Sequence, residues 1–262
     1  MVTPQMIKEL RERTGVGMSD CKNALVETNG DMEGAIEILR KKGLAKAAKR
    51  AGNETNEGKI KIVTEGNTAY VAVVTCETDF VARNETFDAM LGHFIDIRKS
   101  ESSDEAAIAK AEELKASEYT LKVGENMVIK ALSKIEGEVI ATYVHSNFKN
   151  GAVLVAKAGT DADKLKQVAM HVVATNPTVL SPADISDEIV AKEKDIQLAI
   201  MKEDPKNAGK SDEILTKIIE GKMTKFREEN ALLTQPFVVN PDVKVGDFIG
   251  TDAIVSYVRY AI

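Results

Sequence analysis

The sequence predicts an α+β protein built from several parts, and three observations lead to this prediction. The first fifty residues contain three short helical patterns, each with its own start and stop signals. The middle of the chain contains two units of similar order, each with two strand-like runs followed by a helical pattern. Residues 183–230 contain two long helical patterns separated by a short break. We therefore expect a three-helix N-terminal domain, a core of two related strand–strand–helix units and an antiparallel helical hairpin that forms an arm.

The composition is typical of an ordinary cytoplasmic protein. The 262 residues are 44% hydrophobic and 29% charged, which permits one large domain or two to three smaller ones. The net charge of −6 argues against nucleic acid as a direct partner, because phosphate binding needs a basic face. The two cysteines, Cys21 and Cys76, lie far apart and are typical of reduced thiols. We also expect no signal peptide and no membrane partner, since no window approaches the ~20 apolar residues of a membrane span.

Residues 1–52 predict a three-helix docking domain. The expected boundaries are Thr3-Pro4 and Gly15 for the first helix, Ser19 and Asn29-Gly30 for the second, and Asp31 and Gly43 for the third. The domain has few large apolar residues, so it should be only weakly stable alone, but it suits a docking role.

Two features of this domain admit two interpretations each. Met18, between the glycines and the second helix, is either an exposed contact residue or a plug in the core. The five cations between Lys41 and Arg50 form either a basic patch for a nucleic acid or an acidic partner, or a solvated helix end that leads into a linker. We favour the helix end, because no aromatic residues alternate with the charges.

Residues 53–139 predict the first core unit with a connecting helix, and residues 140–182 predict the second unit. In the first, KIKIVTE and TAYVAVVTC form a hairpin around Gly66-Asn67, and Asn84 begins a helix. In the second, IEGEVIATYVHS and AVLVAKAG form a hairpin before another helix. The pairs in matching places are Gly58 with Gly137, about 79 residues apart, and His93 with His171, about 78 apart. A charged helix, about Asp104 to Ser117, and the strand MVIKALSKI lie between the units.

The two units differ where the second strand leads into the helix. The first unit has CETDFVARNETF, and the second has KAGTDADKL. Phe80 either folds back into the core or is held out as a tool for a partner. The second unit has no aromatic there, so the scaffold does not require one, and this favours the partner interpretation.

The sequence predicts neither an active site nor a metal site. His93 and His171 lie in apolar helical stretches and are expected to be hydrogen-bonded packing residues, whereas His145, at a strand end, is more accessible. No spacing suits zinc, no nucleophile elbow or phosphate loop occurs, and no second acid or base stands beside Asp79 in sequence. We therefore expect a protein that is not an enzyme and needs no cofactor of its own.

Residues 183–230 predict the arm. Residues 231–262 predict return strands, the first of them in TQPFVV, and a helix that complete the core. The first arm helix has a stripe of Ile189, Ile196 and Ile200; the second has apolar residues at Ile214, Ile218, Ile219, Met223 and Phe226. These narrow stripes suit pairing between the two helices across the break DPKNAG. We expect the hairpin to project from the body; the alternative is a hairpin packed flat on the core.

Two long motifs resemble the translation elongation factor Ts family. LRERTGVGMSDCKNAL, residues 10–25, and CETDFVAR, residues 76–83, are similar to its two signatures, and TQPF follows the second arm helix as it does in the family. The resemblance covers nearly the whole chain. It implies a guanine-nucleotide exchange factor for elongation factor Tu, with a ubiquitin-associated-like helical bundle at the N-terminus.

The resemblance also implies how the turn works. The residues that would enter the nucleotide domain of elongation factor Tu and help to displace its magnesium are Asp79, Phe80, Val81 and Ala82. The partner would be both GDP-bound and nucleotide-free elongation factor Tu, in a complex of either 1:1 or 2:2 stoichiometry.

Three further contact residues follow from the same resemblance. Arg11 and Met18 would contact the nucleotide domain from another side, and His145 would contact a different domain. The chain departs from the family at Met18-Ser19, where many members have two methionines, and it ends at Ile262, where many members continue into a further helix. Outside the family, the alternatives are an RNA-binding factor that uses Lys41 to Arg50 and the arm, and a small-molecule enzyme.

Overall fold

The computed structural model describes residues 2–204 and 210–262, and its helices and strands form an α+β arrangement. The helices are α1 Pro4–Thr14, α2 Met18–Glu27, α3 Met32–Arg50, α4 Asp79–Ala82, α5 Glu85–Ser100, α6 Asp104–Leu114, α7 Thr120–Val123, α8 Ala162–Thr175, α9 Asp187–Glu203, α10 Asp212–Asn230 and α11 Val245–Ile249. The strands are β1 Glu57–Glu65, β2 Thr68–Cys76, β3 Met127–Glu136, β4 Val139–Val144, β5 Asn150–Ala156, β6 Pro236–Phe237, β7 Asn240–Lys244 and β8 Ile254–Ala261.

The chain divides into two compact units. The first comprises Met1–Ile135, Val144–Gly151 and Tyr260–Ile262, and the second comprises Glu136–Tyr143 and Ala152–Arg259. Within the described ranges, no helix combines the length and the apolar character that crossing a membrane requires.

Helices α1 to α3 pack around a small apolar core in the first unit. The fully buried side chains of this core include Leu10, Cys21, Ala24, Leu25 and Ala35. The predicted helix starts at Thr3 and Asp31 are confirmed, because each side chain caps its helix by accepting a backbone N–H, from Met6 and Glu33 respectively.

The prediction that Gly43 ends the third helix is wrong. Helix α3 continues through Gly43 to Arg50, and Gly43 is buried in its middle. A Cβ at this position would collide with the side chain of Leu121 on α7. Gly43 is therefore a packing position at which a leucine side chain reaches the helix backbone, and it is not a helix stop.

The first sheet has the order β1-β2-β3. Strands β1 and β2 are antiparallel from Glu57↔Cys76 to Glu65↔Thr68, which confirms the hairpin predicted around Gly66-Asn67. Helix α5 covers this sheet with apolar side chains at helical spacing, all of them buried: Phe87, Met90, Leu91, Phe94 and Ile95. The predicted charged helix is α-helical from Asp104 to Leu114, and the chain then continues past the expected end at about Ser117 through a π-helical turn, Lys115–Tyr119, into α7.

The second sheet has the order β4-β5-β8, and α8 packs Leu165, Val168 and Val172 into the second core. The strand predicted for TQPFVV is much shorter than expected. Only Pro236–Phe237 is a strand, and it pairs with β7 in a separate two-stranded ribbon. The preceding residues Leu232–Thr234 form a 3₁₀ turn, and the Phe237 side chain is buried in the core of the second unit.

Helices α9 and α10 form an antiparallel hairpin. Arg227, near the end of α10, bonds Asp187 at the start of α9, and Lys222 donates to Gln197 in the middle of α9. Most of the predicted DPKNAG break falls on residues 205–209, outside the described residues. Whether the hairpin projects from the body stays a prediction.

The predicted seam of the first arm helix is wrong by one residue position. Ile189, Ile196 and Ile200 are 46–53% exposed, and Ile214 of the second helix is 50% exposed. On α9 the contacts come from the neighbouring stripe, Val190, Leu198 and Met201. On α10 the predicted residues Ile218, Ile219, Met223 and Phe226 are packed between the helices, and Leu215 takes the place of Ile214. One residue step turns a helix by about 100°, so two adjacent apolar stripes compete and only one faces the partner helix.

Candidate functional site

The turn between β2 and α5 holds Phe80 out in solvent. It contains the short helix α4, in which the side chain of Phe80 is 84% exposed. The neighbouring side chains fix the turn, because Ala82 is buried and Val81 packs against the first core. The core interpretation of Phe80 is therefore wrong.

Asp79 lies beside this ring and forms an ion pair. Its Oδ2 is 3.3 Å from the Arg83 guanidinium, one helical turn further along the chain. The Arg83 side chain is largely exposed and that of Asp79 is about half exposed, so the pair contributes little to stability. The exposed part of the turn therefore presents an aromatic ring next to a carboxylate whose own counter-ion is solvated.

A second carboxylate, that of Glu125, is hydrogen-bonded to the start of the turn. Glu125 Oε2 accepts the backbone N–H groups of Glu77 at 3.1 Å and Thr78 at 3.0 Å, and its Oε1 accepts the Thr78 hydroxyl at 2.6 Å. Thr78 in turn caps α4, since its Oγ1 accepts the N–H of Val81 at 3.4 Å. Sequence reasoning missed Glu125, because no local pattern connects it with residues so distant along the chain.

Glu77 makes the reciprocal contact. Its Oε1 accepts the N–H of Asn126 at 2.6 Å, and its Oε2 accepts the side-chain amide of Asn53 at 2.9 Å. These bonds favour the charged form, so the Asn126 N–H above all holds the pKa of Glu77 below its ordinary value. The turn is thereby bonded both to the start of β3 and to the segment that follows α3.

Cys76 at the end of β2 is a buried thiol, which agrees with the reduced cysteines that the sequence predicts. Its Sγ donates to the Thr78 carbonyl at 3.2 Å. Burial and, secondly, the Glu125 carboxylate raise the pKa of Cys76 to about 12. The group therefore stays protonated at neutral pH, and its role is to support the turn.

The loop that contains His145 lies beside the same turn. Its backbone closes through the bond from the His145 N–H to the Asn150 carbonyl, and the His145 side chain is exposed, as expected. The following loop residues line a groove together with residues of the turn; these are Ser146, Asn147, Phe148, Lys149, Asp79, Ala82 and Arg83. The structure thus brings two predicted contact segments, distant in sequence, to one groove.

Phe148 is an aromatic contact candidate that sequence reasoning missed. It adopts φ = 58°, unusual for a residue other than glycine, and its side chain is 47% exposed. The Lys59 ammonium lies 4.6 Å from the centre of its ring. Phe148 therefore lines the groove with an aromatic ring that is about half exposed and lies under the Lys59 ammonium.

Arg11 and Met18 lie on the three-helix domain and do not line the groove. Arg11 is exposed on α1, and Met18, the first residue of α2, is 46% exposed. The core-plug interpretation of Met18 is therefore wrong. These two side chains are available to a partner at a surface separate from the turn.

The basic run on α3 is a solvated helix end. Lys41, Lys42 and Lys46 pair with carboxylates of the same domain, Glu37, Glu27 and Asp20 respectively. These contacts reduce the positive charge that the run can offer to a phosphate backbone, which supports the helix-end interpretation.

The two matched histidines are both hydrogen-bonded, as predicted, but only one is buried. His171 Nε2 lies 2.9 Å from Gln235 Oε1, and its Nδ1 accepts the Val238 N–H at 3.1 Å. Burial lowers the pKa of His171, so the ring is neutral. His93 is exposed, and its Nδ1 lies 2.6 Å from the Tyr119 hydroxyl. Gln235 of the TQPF motif therefore has a structural role that sequence reasoning missed.

Comparison with known proteins gives one consistent result. The family model described as "Elongation factor TS" matches residues 77–262, beginning within the turn that carries Phe80. The chain is similar to "Elongation factor Ts" of Stutzerimonas stutzeri (strain A1501), 44% identical over 265 residues, covering 100% of this chain and 91% of the relative. It is also similar to the proteins of that name from Ruegeria pomeroyi, 44% identical with 94% and 86% covered, and Vibrio cholerae, 46% identical with 95% and 86% covered.

Proposed function

Because the chain belongs to the elongation factor Ts family and is thus a translation elongation factor, we propose that it is the guanine-nucleotide exchange factor of elongation factor Tu. In this proposal it binds elongation factor Tu in its GDP-bound form, displaces the magnesium ion with the Asp79-Phe80 turn and releases GDP. It then remains bound to the nucleotide-free partner until a new nucleotide enters.

The physical basis of exchange is a difference in affinity. GDP is held by a phosphate-binding loop and by Mg²⁺, which neutralises charge on the β-phosphate. An inserted aromatic ring shifts the elements that carry the ligands of the metal, and the Asp79 carboxylate repels the phosphates and competes for their backbone donors. No covalent bond forms or breaks, so we propose that the chain is not an enzyme and uses no cofactor of its own.

Thermodynamic linkage sets the size of the effect that is required. If the exchange factor binds the nucleotide-free partner more tightly than the GDP-bound one, it must weaken GDP binding by the same factor. A factor of about 10³ corresponds to roughly 4 kcal/mol. A buried aromatic at the centre of an interface contributes about 2–4 kcal/mol, so one ring supplies much of the coupling.

The observation that carries the proposal is the 84% exposure of Phe80 on an anchored turn. A large apolar side chain exposed to this degree, with its neighbours Val81 and Ala82 packed on the core, makes no contribution to the stability of its own fold that would explain its presence. Insertion into a partner would bury the ring and recover the hydrophobic free energy that the free chain forgoes.

Three further contacts complete the proposed interface. Arg11 and Met18 would contact the nucleotide domain of elongation factor Tu from the three-helix domain, and His145 would contact another domain of the partner. The arm would add a further contact. Either a 1:1 or a 2:2 complex satisfies these contacts, and neither direct nucleic-acid binding nor a membrane is part of the proposal. The proposed role requires the chain to act in the cytoplasm.

The decisive experiment measures release of fluorescently labelled GDP from purified elongation factor Tu. We expect the parent chain to accelerate release and Phe80→Ala to lose most of that acceleration, with a smaller loss in binding. Val239→Ala, which trims another exposed apolar side chain, is the matched control and should behave like the parent. The proposal fails if the parent chain leaves the release rate unchanged, or if Phe80→Ala, still folded, releases GDP as fast as the parent.

A further inference from the structure

The turn that carries Phe80 lacks the usual means of fixing a side-chain direction. The ring itself contacts little, because it is 84% exposed, and α4 is only one turn long. Val81 and Ala82 hold the far side of this turn by packing. The near side, where the chain leaves β2 at Cys76, must be fixed by hydrogen bonds.

Glu125 supplies the acceptors at this near side. One of its carboxylate oxygens accepts two successive backbone N–H groups, those of Glu77 and Thr78, and the other accepts the Thr78 hydroxyl. A carboxylate that accepts hydrogen bonds from three donors makes stronger bonds than neutral acceptors do. The position of the chain immediately before α4 therefore depends on this one side chain.

The Thr78 hydroxyl extends this influence into α4. A hydroxyl has a single hydrogen to donate. Because that hydrogen goes to Glu125 Oε1 at 2.6 Å, the oxygen lone pairs are left to accept the Val81 N–H. Glu125 thus sets the orientation of the cap, and the cap sets the start of the helical turn that contains Phe80.

The backbone around Glu125 is itself held in place. Gly124 adopts φ = 73° at the end of α7 and reverses the chain so that Glu125 precedes β3. The next residue, Asn126, donates its N–H to Glu77 and its side-chain amide to the Asn53 carbonyl at 2.9 Å. Two segments therefore exchange hydrogen bonds in both directions, and Glu125 cannot move without breaking several of them.

We propose that Glu125 is a positioning residue for nucleotide exchange, which holds the Phe80 ring in the orientation that enters the partner. This inference rests on the proposed function. A ring that is already oriented loses less conformational freedom when it binds, so the benefit appears in the step that drives GDP out. Glu125 acts through Thr78 and the backbone and makes no contact with nucleotide or magnesium in this scheme.

The test compares four substitutions in the full chain. Glu125→Ala removes every acceptor, whereas Glu125→Gln keeps an oxygen that can accept the two backbone N–H groups. Thr78→Val removes the hydroxyl at nearly constant shape, and Thr78→Ser keeps it. Glu113→Ala, which removes an exposed carboxylate from α6, is the control for charge.

We measure GDP release from elongation factor Tu as a function of exchange-factor concentration, well below the unfolding temperature of every variant. Glu125→Ala and Thr78→Val should each lower the maximal release rate about 10-fold while the half-saturating concentration changes less than about 2-fold. Glu125→Gln and Thr78→Ser should stay within about 3-fold of the parent, and Glu113→Ala should match it. The double variant Glu125→Ala/Thr78→Val should lower the maximal release rate no more than Glu125→Ala alone does, because both residues act through one hydrogen-bond network.

Hydrogen exchange of the free chain gives a second readout without the partner. In Glu125→Ala the amides of Thr78 and Val81 should exchange at least about 10-fold faster, while those of β1 and β2 stay protected. If all amides of Glu125→Ala exchanged faster to the same extent, Glu125 would serve stability alone and the inference would be overturned. The inference would also be overturned if Glu125→Ala, corrected for its folded fraction, released GDP from elongation factor Tu at the parent rate.

The two proposals fail in different ways. If the parent chain does not accelerate GDP release, the proposed function falls, and the positioning inference falls with it. If the parent chain accelerates release and Phe80→Ala does not, but Glu125→Ala matches the parent, only the positioning role of Glu125 is overturned.

Discussion

In both strand–strand–helix units a segment connects the second strand to the helix, but this segment is longer in the first unit than in the second. Both lead from the end of a strand to a helix that begins with a polar cap: Asn84 caps α5 and Asp161 caps α8. In the second unit the cap follows after residues 157–160. In the first unit residues 77–83 intervene and fold into α4, with Phe80 exposed. The extra segment is not needed to connect strand and helix, so its presence is best explained by what it displays.

The matched glycines show that equivalent positions need not share a physical cause. A Cβ at Gly58 would collide with the backbone of Val74 and Thr75, and the residue has φ = 152°. A Cβ at Gly137 would instead collide with the side chain of Val155. A Cβ would meet close neighbours at both positions, but only at Gly58 are those neighbours backbone atoms.

The largest expected difference in the free energy of unfolding is between alanine variants of two phenylalanines in the first unit, Phe87 and Phe80. Phe87 is fully buried, so Phe87→Ala should lower the free energy of unfolding by about 3–5 kcal/mol. Phe80→Ala should change it by less than about 0.5 kcal/mol, because the ring is exposed. Urea denaturation measures both, and equal losses in the two variants would contradict the view that the turn displays its ring.

Moving the aromatic ring to the second unit should not restore its effect. Ala162, the first residue of α8, follows Thr160-Asp161 as Phe80 follows Thr78-Asp79, and it is exposed. The double variant Phe80→Ala/Ala162→Phe should fold normally and release GDP from elongation factor Tu as slowly as Phe80→Ala. Recovery of the parent rate would mean that the exposed ring matters and its supporting turn does not.

The matched histidines should differ by a smaller amount. His171→Ala leaves the Gln235 and Val238 groups without their partner in a buried site and should cost about 2–4 kcal/mol of unfolding free energy. His93→Ala removes one bond to Tyr119 at an exposed position and should cost about 1 kcal/mol or less. Thermal and urea denaturation would check this order, and the reverse order would be inconsistent with the buried network.

The glycine pair comes next. Gly58→Ala should destabilise the chain by about 1–3 kcal/mol, because backbone atoms must shift and the φ value disfavours a side chain. Gly137→Ala should cost about 1 kcal/mol, since the Val155 side chain can adjust. Calorimetry of both variants makes the comparison; a larger loss at Gly137 would show that side-chain crowding outweighs the backbone.

The smallest effect is the pH dependence of stability that His171 contributes. Burial lowers the pKa of His171 from its ordinary value of 6.5, so below that pH the unfolded chain binds a proton more readily than the folded chain does. The contribution of His171 to stability is therefore complete above pH 6.5 and decreases as the pH falls, by up to about 1.4 kcal/mol per pH unit. In His171→Ala this part of the slope should be absent, and an unchanged slope would contradict the neutral, buried ring.

Local chemistry made much of the fold predictable from the sequence. Caps such as Thr3 and Asp31, and the Gly66-Asn67 turn, act on neighbouring backbone groups, so the residue type and its position suffice. The exposure of Phe80 was predicted by comparing the strand-to-helix turns of the two similar units, of which only the first has an aromatic residue. Each of these inferences needs only a few residues that are close in sequence or an internal repeat.

The wrong predictions concern positions at which contacts with segments distant in sequence determine the structure. Gly43 looks like a helix stop until Leu121 occupies the space beside it. Ile189 and Val190 belong to adjacent stripes of α9, and only the position of α10 determines which stripe is buried. Glu125 was missed for the same reason, because its partners precede it by almost fifty residues and no periodic pattern connects them.

Helix α7 and the residues directly after it carry two contacts that lie only four residues apart in sequence. Leu121 packs against the core of the three-helix domain at Gly43, and four residues later Glu125 meets the backbone of Thr78. Inserting or deleting one residue between them would rotate one contact relative to the other by about 100° and shift it along the axis by about 1.5 Å. The length of this segment therefore sets how the three-helix bundle and the turn that carries Phe80 are placed relative to each other. We expect the segment to tolerate changes of residue type far better than any change of spacing.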